Sequence, residues 1–348
     1  FFREKGYIFR AFYLAAIFVE PSFDGLKGVR NTTGELPFCN TIARRMFERE
    51  GSSLCSPCHF SMITIDHNRG GKNMQYVWKL DGKEKIRLHD IDPDYTAEAI
   101  TKNDAESRLK ELDIELGEMQ EMLYAAHQNS VLMLLQGTDT SGKDGTIRHA
   151  LAQLNPQGCR VESFKEPTPK ELDHDFLWRV HKVVPGKGIL GVFNRSHYED
   201  VLVVRIKKIV PEKVWKRHYA EINHFEKLLA ENGTLLLKFF LHISSQEQEK
   251  RLLAREQDIE KAWKLSVSDW ENRAYWDDYQ AAYEDMLNRC STPWAPWYVV
   301  PANHKWFRNL AVAQTLVEAL RPSKKAWEKD LQERGRKALA LLEKFPHP

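Results

Sequence analysis

From residue 104 onward the apolar positions of the chain follow two rhythms that alternate. Between Asp104 and His127, Leu109, Leu112, Ile114, Leu116, Met119, Met122 and Leu123 recur at helical spacing among charged residues. This predicts a helix that packs on a sheet. Beyond it, short apolar runs predict strands over 131–136, 160–164, 189–193, 234–241 and 297–300. Amphipathic stretches predict helices over 146–154, 169–183, 211–232 and 245–255. Strand and helix in alternation imply an α/β fold of three layers, α/β/α, around a parallel sheet. Residues 1–73 keep neither period. They are broken by Pro21, Gly25, Gly28, Gly34, Pro37, Gly51, Pro57, Gly70 and Gly71, and the chain starts at Phe1. The expectation is a poorly structured leader, not part of the functional protein, which would begin at Met74.

Composition narrows the class. At 348 residues, 42% hydrophobic and 29% charged, the chain can bury one large α/β core with additions. The net charge of +2 carries no general basic excess, so nucleic acid is not an expected partner and any polyanion must sit in a local groove. No apolar run reaches the roughly 18 residues that span a bilayer. Ala11–Val19, preceded by Arg3, Lys5 and Arg10, is a short apolar core without a small-residue cleavage site. Five cysteines, an odd number, argue against a disulfide framework and for a reducing compartment, the cytoplasm. Cys55, Cys58 and His59 spell a haem-attachment string, and with Cys39 and His67 they also suit zinc, but no second ligand pair or haem pocket is apparent, and free thiols are the expectation.

The chemistry begins at Gly137–Lys143, which reads Gly-Thr-Asp-Thr-Ser-Gly-Lys behind a predicted strand and before a predicted helix. Glycines permit the tight turn, consecutive N–H groups converge on one anion, the helix N-terminus adds its positive end, and Lys143 reaches a phosphate. Gly137, Thr140, Gly142, Gly145 and Asp144 are therefore candidate phosphate-binding positions. The residue after the lysine, usually Ser or Thr for magnesium, is Asp144. Asp139 is the natural substitute, since a carboxylate among phosphate-binding amides is tolerable when a divalent cation bridges it to phosphate. Asp144 also suits a helix cap.

The strand over 189–193 ends in Asn194, Arg195, Ser196, His197, Tyr198, Glu199 and Asp200. A guanidinium there neutralises transferring phosphoryl oxygens, so Arg195 is a catalytic candidate, and Glu199 or Asp200 would supply the carboxylate that Asn194 lacks. Further on, Arg251 and Arg255 share a helix face. Interleaved acids make a solvated, salt-bridged helix the simpler reading, but in P-loop kinases a helical excursion at this place closes over the donor.

Taken together, Gly137–Thr146, Phe193–Val201, Trp263–Ser266, Ala295–Pro301 and Asn303–Trp306 resemble the second family of polyphosphate kinases, over roughly residues 76–321. The resemblance implies a thymidylate-kinase-like P-loop fold with a helical lid near 245–280. It implies a phosphotransferase domain over 131–321, after an N-terminal extension and helix over 74–130 and before a helical tail over 322–348. It implies phosphoryl transfer between inorganic polyphosphate and AMP or ADP, giving ADP or ATP, with Mg2+ or Mn2+. The stretches His174–Arg179 and Glu221–Glu226 are similar to the branch that accepts both AMP and ADP. Dimers or tetramers are expected. In this reading Asp139 and Asp200 hold the metal, Lys143 and the loop grip phosphate, and Arg195 stabilises the transferred group. Arg251 and Arg255 clamp polyphosphate, with Arg148, Lys165, Lys207, Lys208 and Lys264 along its track. Phe176, Arg179 and Glu221 contact the nucleotide. Two alternatives stay open: an ATP-dependent nucleoside monophosphate kinase of the same fold, and a non-catalytic polyphosphate-binding protein.

Overall fold

A computed structural model describes residues 75–345 apart from 84, 98, 99 and 259–266. Expectations placed on residues 1–73 and on Lys264 lie outside the described residues. All five expected strands form: β2 (Ser130–Gln136), β3 (Cys159–Ser163), β4 (Leu190–Asn194), β5 (Thr234–His242) and β6 (Trp297–Pro301). A three-residue strand, β1 (Trp78–Leu80), pairs antiparallel with β6, and every other pairing is parallel, in the order β1-β6-β5-β2-β4-β3. β1 is too short to show a period in sequence.

The central strand β2 is buried along its whole length, and its side chains alternate between two cores. Val131, Met133 and Leu135 meet α1 (Lys102–Ala126), and Leu132 and Leu134 meet the opposite layer. β5 repeats the split, with Leu237, Phe239 and Leu241 on one face and Leu236 and Phe240 on the other. This is the physical content of three layers: period-two strands with both faces dry. A box of Thr101 and Asp104, each side chain bonding the other's backbone N–H, starts α1.

After β2 comes α2 (Lys143–Ala150). The expected helix over 169–183 is instead two single turns, α3 (Pro169–Leu172) and α4 (Trp178–His181). Asp175 breaks the run by accepting the Leu177 N–H in a local turn at 3.0 Å. Beyond β4 a 3-10 turn (His197–Val201) leads into α5 (Val203–Ile206) and then α6 (Glu212–Glu231). Between β5 and β6 lie α7 (Ser245–Glu256), α8 (Val267–Arg273) and α9 (Trp276–Cys290). The final helix, α10 (Lys305–Leu342), runs unbroken through Pro322, so the boundary expected at 321/322 falls inside a helix. Burial of Trp327 and the bond from Arg334 to the Ala126 carbonyl hold the segment beyond the proline against α1, with the Arg321–Glu115 pair just before it, which offsets the lost N–H. Among the described residues no helix is long and apolar enough to cross a membrane.

One polar cluster interrupts the core. Lys238 of β5 is 0% exposed and donates to Glu226 at 2.6 Å, to the Tyr198 hydroxyl at 2.8 Å and to the Cys290 carbonyl at 2.7 Å. Glu226 also accepts from the Tyr198 hydroxyl at 2.7 Å. Burial alone would raise the Glu226 carboxyl, but Lys238 and His197 hold it below its ordinary range. Four elements thus meet at one ammonium: β5, α6, the 3-10 turn and the end of α9. Lys238→Met is expected to cost about 3–5 kcal/mol in urea unfolding, because it strands a buried carboxylate. Removing Glu226 as well, with leucine, should recover most of that loss.

Candidate active site

The turn from β2 into α2 is built by two backbone choices. Gly137 at φ 153° and Gly142 at φ 101° take conformations closed to ordinary side chains, and a Cβ on Gly142 would lie 1.8 Å from a nitrogen of Arg308. Within the loop only Ser141 bonds its N–H back to the loop, to the Thr138 carbonyl at 3.1 Å. Among the described residues the N–H groups of Asp139, Thr140, Gly142 and Lys143, at the N-terminus of α2, meet no acceptor. The buried hydroxyls of Thr138, Thr140 and Ser141 likewise have no hydrogen-bond partner among them. A ring of unsatisfied donors at a helix N-terminus is what phosphate oxygens complete.

Lys143 folds back onto the Gly137 and Thr138 carbonyls at 2.8 and 3.1 Å. Burial, helped by the Arg195 charge and opposed by Asp139, Glu199 and Asp144, brings its ammonium down to about 8. Arg195, at φ 64°, bonds Asp139 at 2.8 Å and approaches Glu199 at 3.9 Å. Burial would lower its pKa, and Glu199 and Asp139 raise it instead, so it stays charged. Asn194 donates to Asp144 at 2.8 Å, which ties the end of β4 to the start of α2.

Gly137, Thr138 and Asp139 of the loop line a cleft together with Arg195, Glu199, Asn272 and the rings of Trp276, Tyr279 and Tyr283. Asn272 of α8 occupies the second oxygen of Asp139 at 3.1 Å. The helical spacing of Trp276, Tyr279 and Tyr283 was visible in sequence, but such a stripe reads equally as core, and both tyrosines do pack in the core. Nothing in sequence singled out Asn272.

The remaining expected site residues divide. Asp200 was expected to share a metal with Asp139; the structure puts Glu199 in the cleft instead. The 3-10 turn points these neighbours apart, and burial, then Glu199, pushes Asp200 up to about 7. Arg251 was expected to clamp polyphosphate; in this structure it lies against the loop backbone instead. It is 8% exposed, and its five N–H groups are spent on Glu247 and on the carbonyls of Thr140, Ser141, Ala302 and Asn303, at 2.7–3.2 Å. It braces the loop from behind. Arg255 pairs with Asp269 at 3.2 Å. Phe176 stacks on His218 with centroids 4.2 Å apart, Arg179 lies over Phe164 and bonds the Lys165 carbonyl, and Glu221 pairs with Arg217; none of the three lines the cleft. Arg148, Lys165, Lys207 and Lys208 are exposed, and each follows the carboxyl end of a parallel strand.

Among the described residues no three His, Cys, Asp or Glu side chains gather into a metal cage. Asp139 and Glu199 both line one cleft beside the phosphate loop and could hold magnesium, which takes one or two carboxylates and completes its shell with phosphate and water.

A family model for polyphosphate kinase 2 (PPK2) matches residues 99–328. The chain belongs to the polyphosphate kinase 2 family. It is 51% identical over 246 residues to the AMP/ADP-polyphosphate phosphotransferase of Meiothermus ruber, covering 71% of this chain and 92% of that protein. It is 43% identical over 242 residues to the ADP-polyphosphate phosphotransferase of Rhodopseudomonas palustris, covering 66% and 84%. The crystal structure of polyphosphate kinase 2 from Arthrobacter aurescens TC1 matches with TM-score 0.67 at 44% identity, over 68% of this chain and 86% of that one. The fold is that of the P-loop kinases, as expected from the sequence.

If Arg251 braces the loop, Arg251→Lys is expected to lose about 2–3 kcal/mol of stability in urea unfolding, since one ammonium cannot serve carbonyls on both sides. A direct grip on polyphosphate would instead leave stability unchanged and raise KM alone.

Proposed function

We propose that this protein is a polyphosphate-dependent nucleotide phosphotransferase, moving the terminal phosphoryl group of inorganic polyphosphate onto AMP and ADP. One observation carries the reading: the Asp139–Arg195 pair faces a loop whose amides and hydroxyls are left open for phosphate. The family and the names of the relatives supply the donor and the acceptors. An oxygen of the acceptor's terminal phosphate forms the new bond to the terminal phosphorus of the chain. The bridging bond breaks, and the shortened polyphosphate leaves with the electron pair.

Such a transfer needs positioning and charge neutralisation more than covalent chemistry. Lys143 swings from its own loop carbonyls to a phosphate oxygen, and the loop amides hold that phosphate in line. Arg195 stabilises charge on the transferring group. Asp139 and Glu199 would hold Mg2+, or Mn2+ in its place, and the ion when bound neutralises phosphate charge. Arg148, Lys165, Lys207 and Lys208 attract the rest of the polyanion by long-range charge, so its KM rises with salt. A cytoplasmic homo-oligomer accompanies this reading.

The test is nucleotide formation from AMP and from ADP with long-chain polyphosphate and Mg2+, in the absence of ATP. ADP and then ATP from AMP is the expected result; ATP from ADP alone would restrict the acceptor, and transfer only on adding ATP would favour the ATP-dependent kinase. Lys143→Ala should lower kcat/KM by a factor of about 100–1,000, as loss of one central cation does. Because the Lys143 ammonium sits at about 8 in the free protein, its charge is complete below that pH and lost above it. kcat/KM should therefore fall as pH rises past 8, while the limb in kcat lies higher, since bound phosphate favours the ammonium.

A further inference from the structure

Behind the phosphate loop lies a positive charge that no carboxylate among the described residues balances. Arg308, in the first turn of α10, is 2% exposed. Its Nη1 donates to the Ser141 carbonyl at 3.3 Å, and its Nε and Nη2 both donate to the neutral amide oxygen of Asn309, at 3.1 and 2.7 Å. Its charged neighbour is Arg251, and burial, then Arg251, brings Arg308 down to about 10. Arg251 has Glu247 at 2.7 Å, so it is compensated; Arg308 is not.

The guanidinium lies against the backbone of the cradle itself. A Cβ on Gly142 would stand 1.8 Å from Nη1, and one on Gly145 would stand 3.1 Å from Nη2. These glycines flank Lys143 and Asp144 at the start of α2, beside the N–H groups that meet no acceptor among the described residues. A buried, uncompensated cation is costly in the empty protein, and an anion a few ångströms away relieves that cost. The bond to the Ser141 carbonyl acts in the same sense. It polarises the Ser141–Gly142 peptide and strengthens the Gly142 N–H as a donor.

We propose that Arg308 is a positioning residue for phosphate, and that its unbalanced charge behind the loop supplies part of the affinity for polyphosphate without touching it. This rests on the loop being the phosphate cradle. The test changes charge and little else. Asn309→Asp puts a carboxylate where the amide oxygen already accepts two bonds from Arg308, so the loop keeps its geometry while the missing counter-charge is supplied.

Calorimetric binding of inorganic triphosphate, thermal melting without ligand, and steady-state kinetics are measured on the wild-type protein and on Asn309→Asp. The expected result is a higher Tm in the free variant, a triphosphate Kd weaker by about tenfold, and a raised KM for polyphosphate with kcat changed less than about twofold. A purely structural Arg308 would give the rise in Tm without the loss of affinity, and that outcome overturns the proposal. Arg308→Lys provides the second arm: it keeps the charge and should retain most of the affinity, whereas Arg308→Met should lose it. Equal affinities of those two folded variants would also overturn the proposal. Failure of the wild-type protein to bind triphosphate would instead overturn the phosphate-cradle reading on which it stands.

Discussion

A loop that offers its N–H groups to an anion must turn its carbonyls inward, and buried carbonyls need donors. That constraint organises this protein. The carbonyls of Thr140 and Ser141 are met by Arg251 and Arg308, and those of Gly137 and Thr138 by Lys143. With the inward side satisfied, the amides of Asp139, Thr140, Gly142 and Lys143 stay free on the outward side. The arginines come from α7 and α10, so the phosphate loop is fixed by helices that follow it by more than a hundred residues.

The cations of the site therefore divide into two sets. Those behind the loop, Arg251 and Arg308, are buried and shape it; Arg195 lines the cleft in front, and Lys143 lies against the loop's own carbonyls. The front set is held in turn by the core. Arg195 stands just before the turn carrying His197 and Tyr198, which the buried Lys238–Glu226 pair locks to β5 and to the end of α9. Trp276, Tyr279 and Tyr283 of α9 line the same cleft, so one buried ion pair fixes both Arg195 and these rings.

Strand positions and the loop were legible in sequence, because period-two apolar runs and a glycine-lysine turn are local signals. Lys238 did not obscure β5, since the apolar residues around it outweighed one charge. What sequence left open depends on partners distant in the chain. The acids around Arg251 suggested a solvated helix and its place in the chain a substrate clamp, whereas beside Glu247 its partners are backbone carbonyls, which composition cannot reveal. Glu199 and Asp200 could not be ordered, because a short 3-10 turn decides which one faces the cleft. The resemblance ends near residue 321, and packing of Trp327 and Arg334 on α1 carries the helix on through Pro322. Asn272 left no trace in sequence, because its role is a single hydrogen bond across the cleft.

The central claim is that the cradle is preformed, with its donors open before substrate arrives. Amide hydrogen exchange of the free protein, and of the protein with inorganic triphosphate and Mg2+, tests it most directly. The account predicts rapid exchange at Asp139, Thr140, Gly142 and Lys143 in the free protein and strong protection on binding, with little change at the bracing segment around Ala302 and Asn303. Amides already protected in the free protein, or protection that spreads equally through the bracing segment, would mean that the loop is assembled by its ligand and would contradict the account.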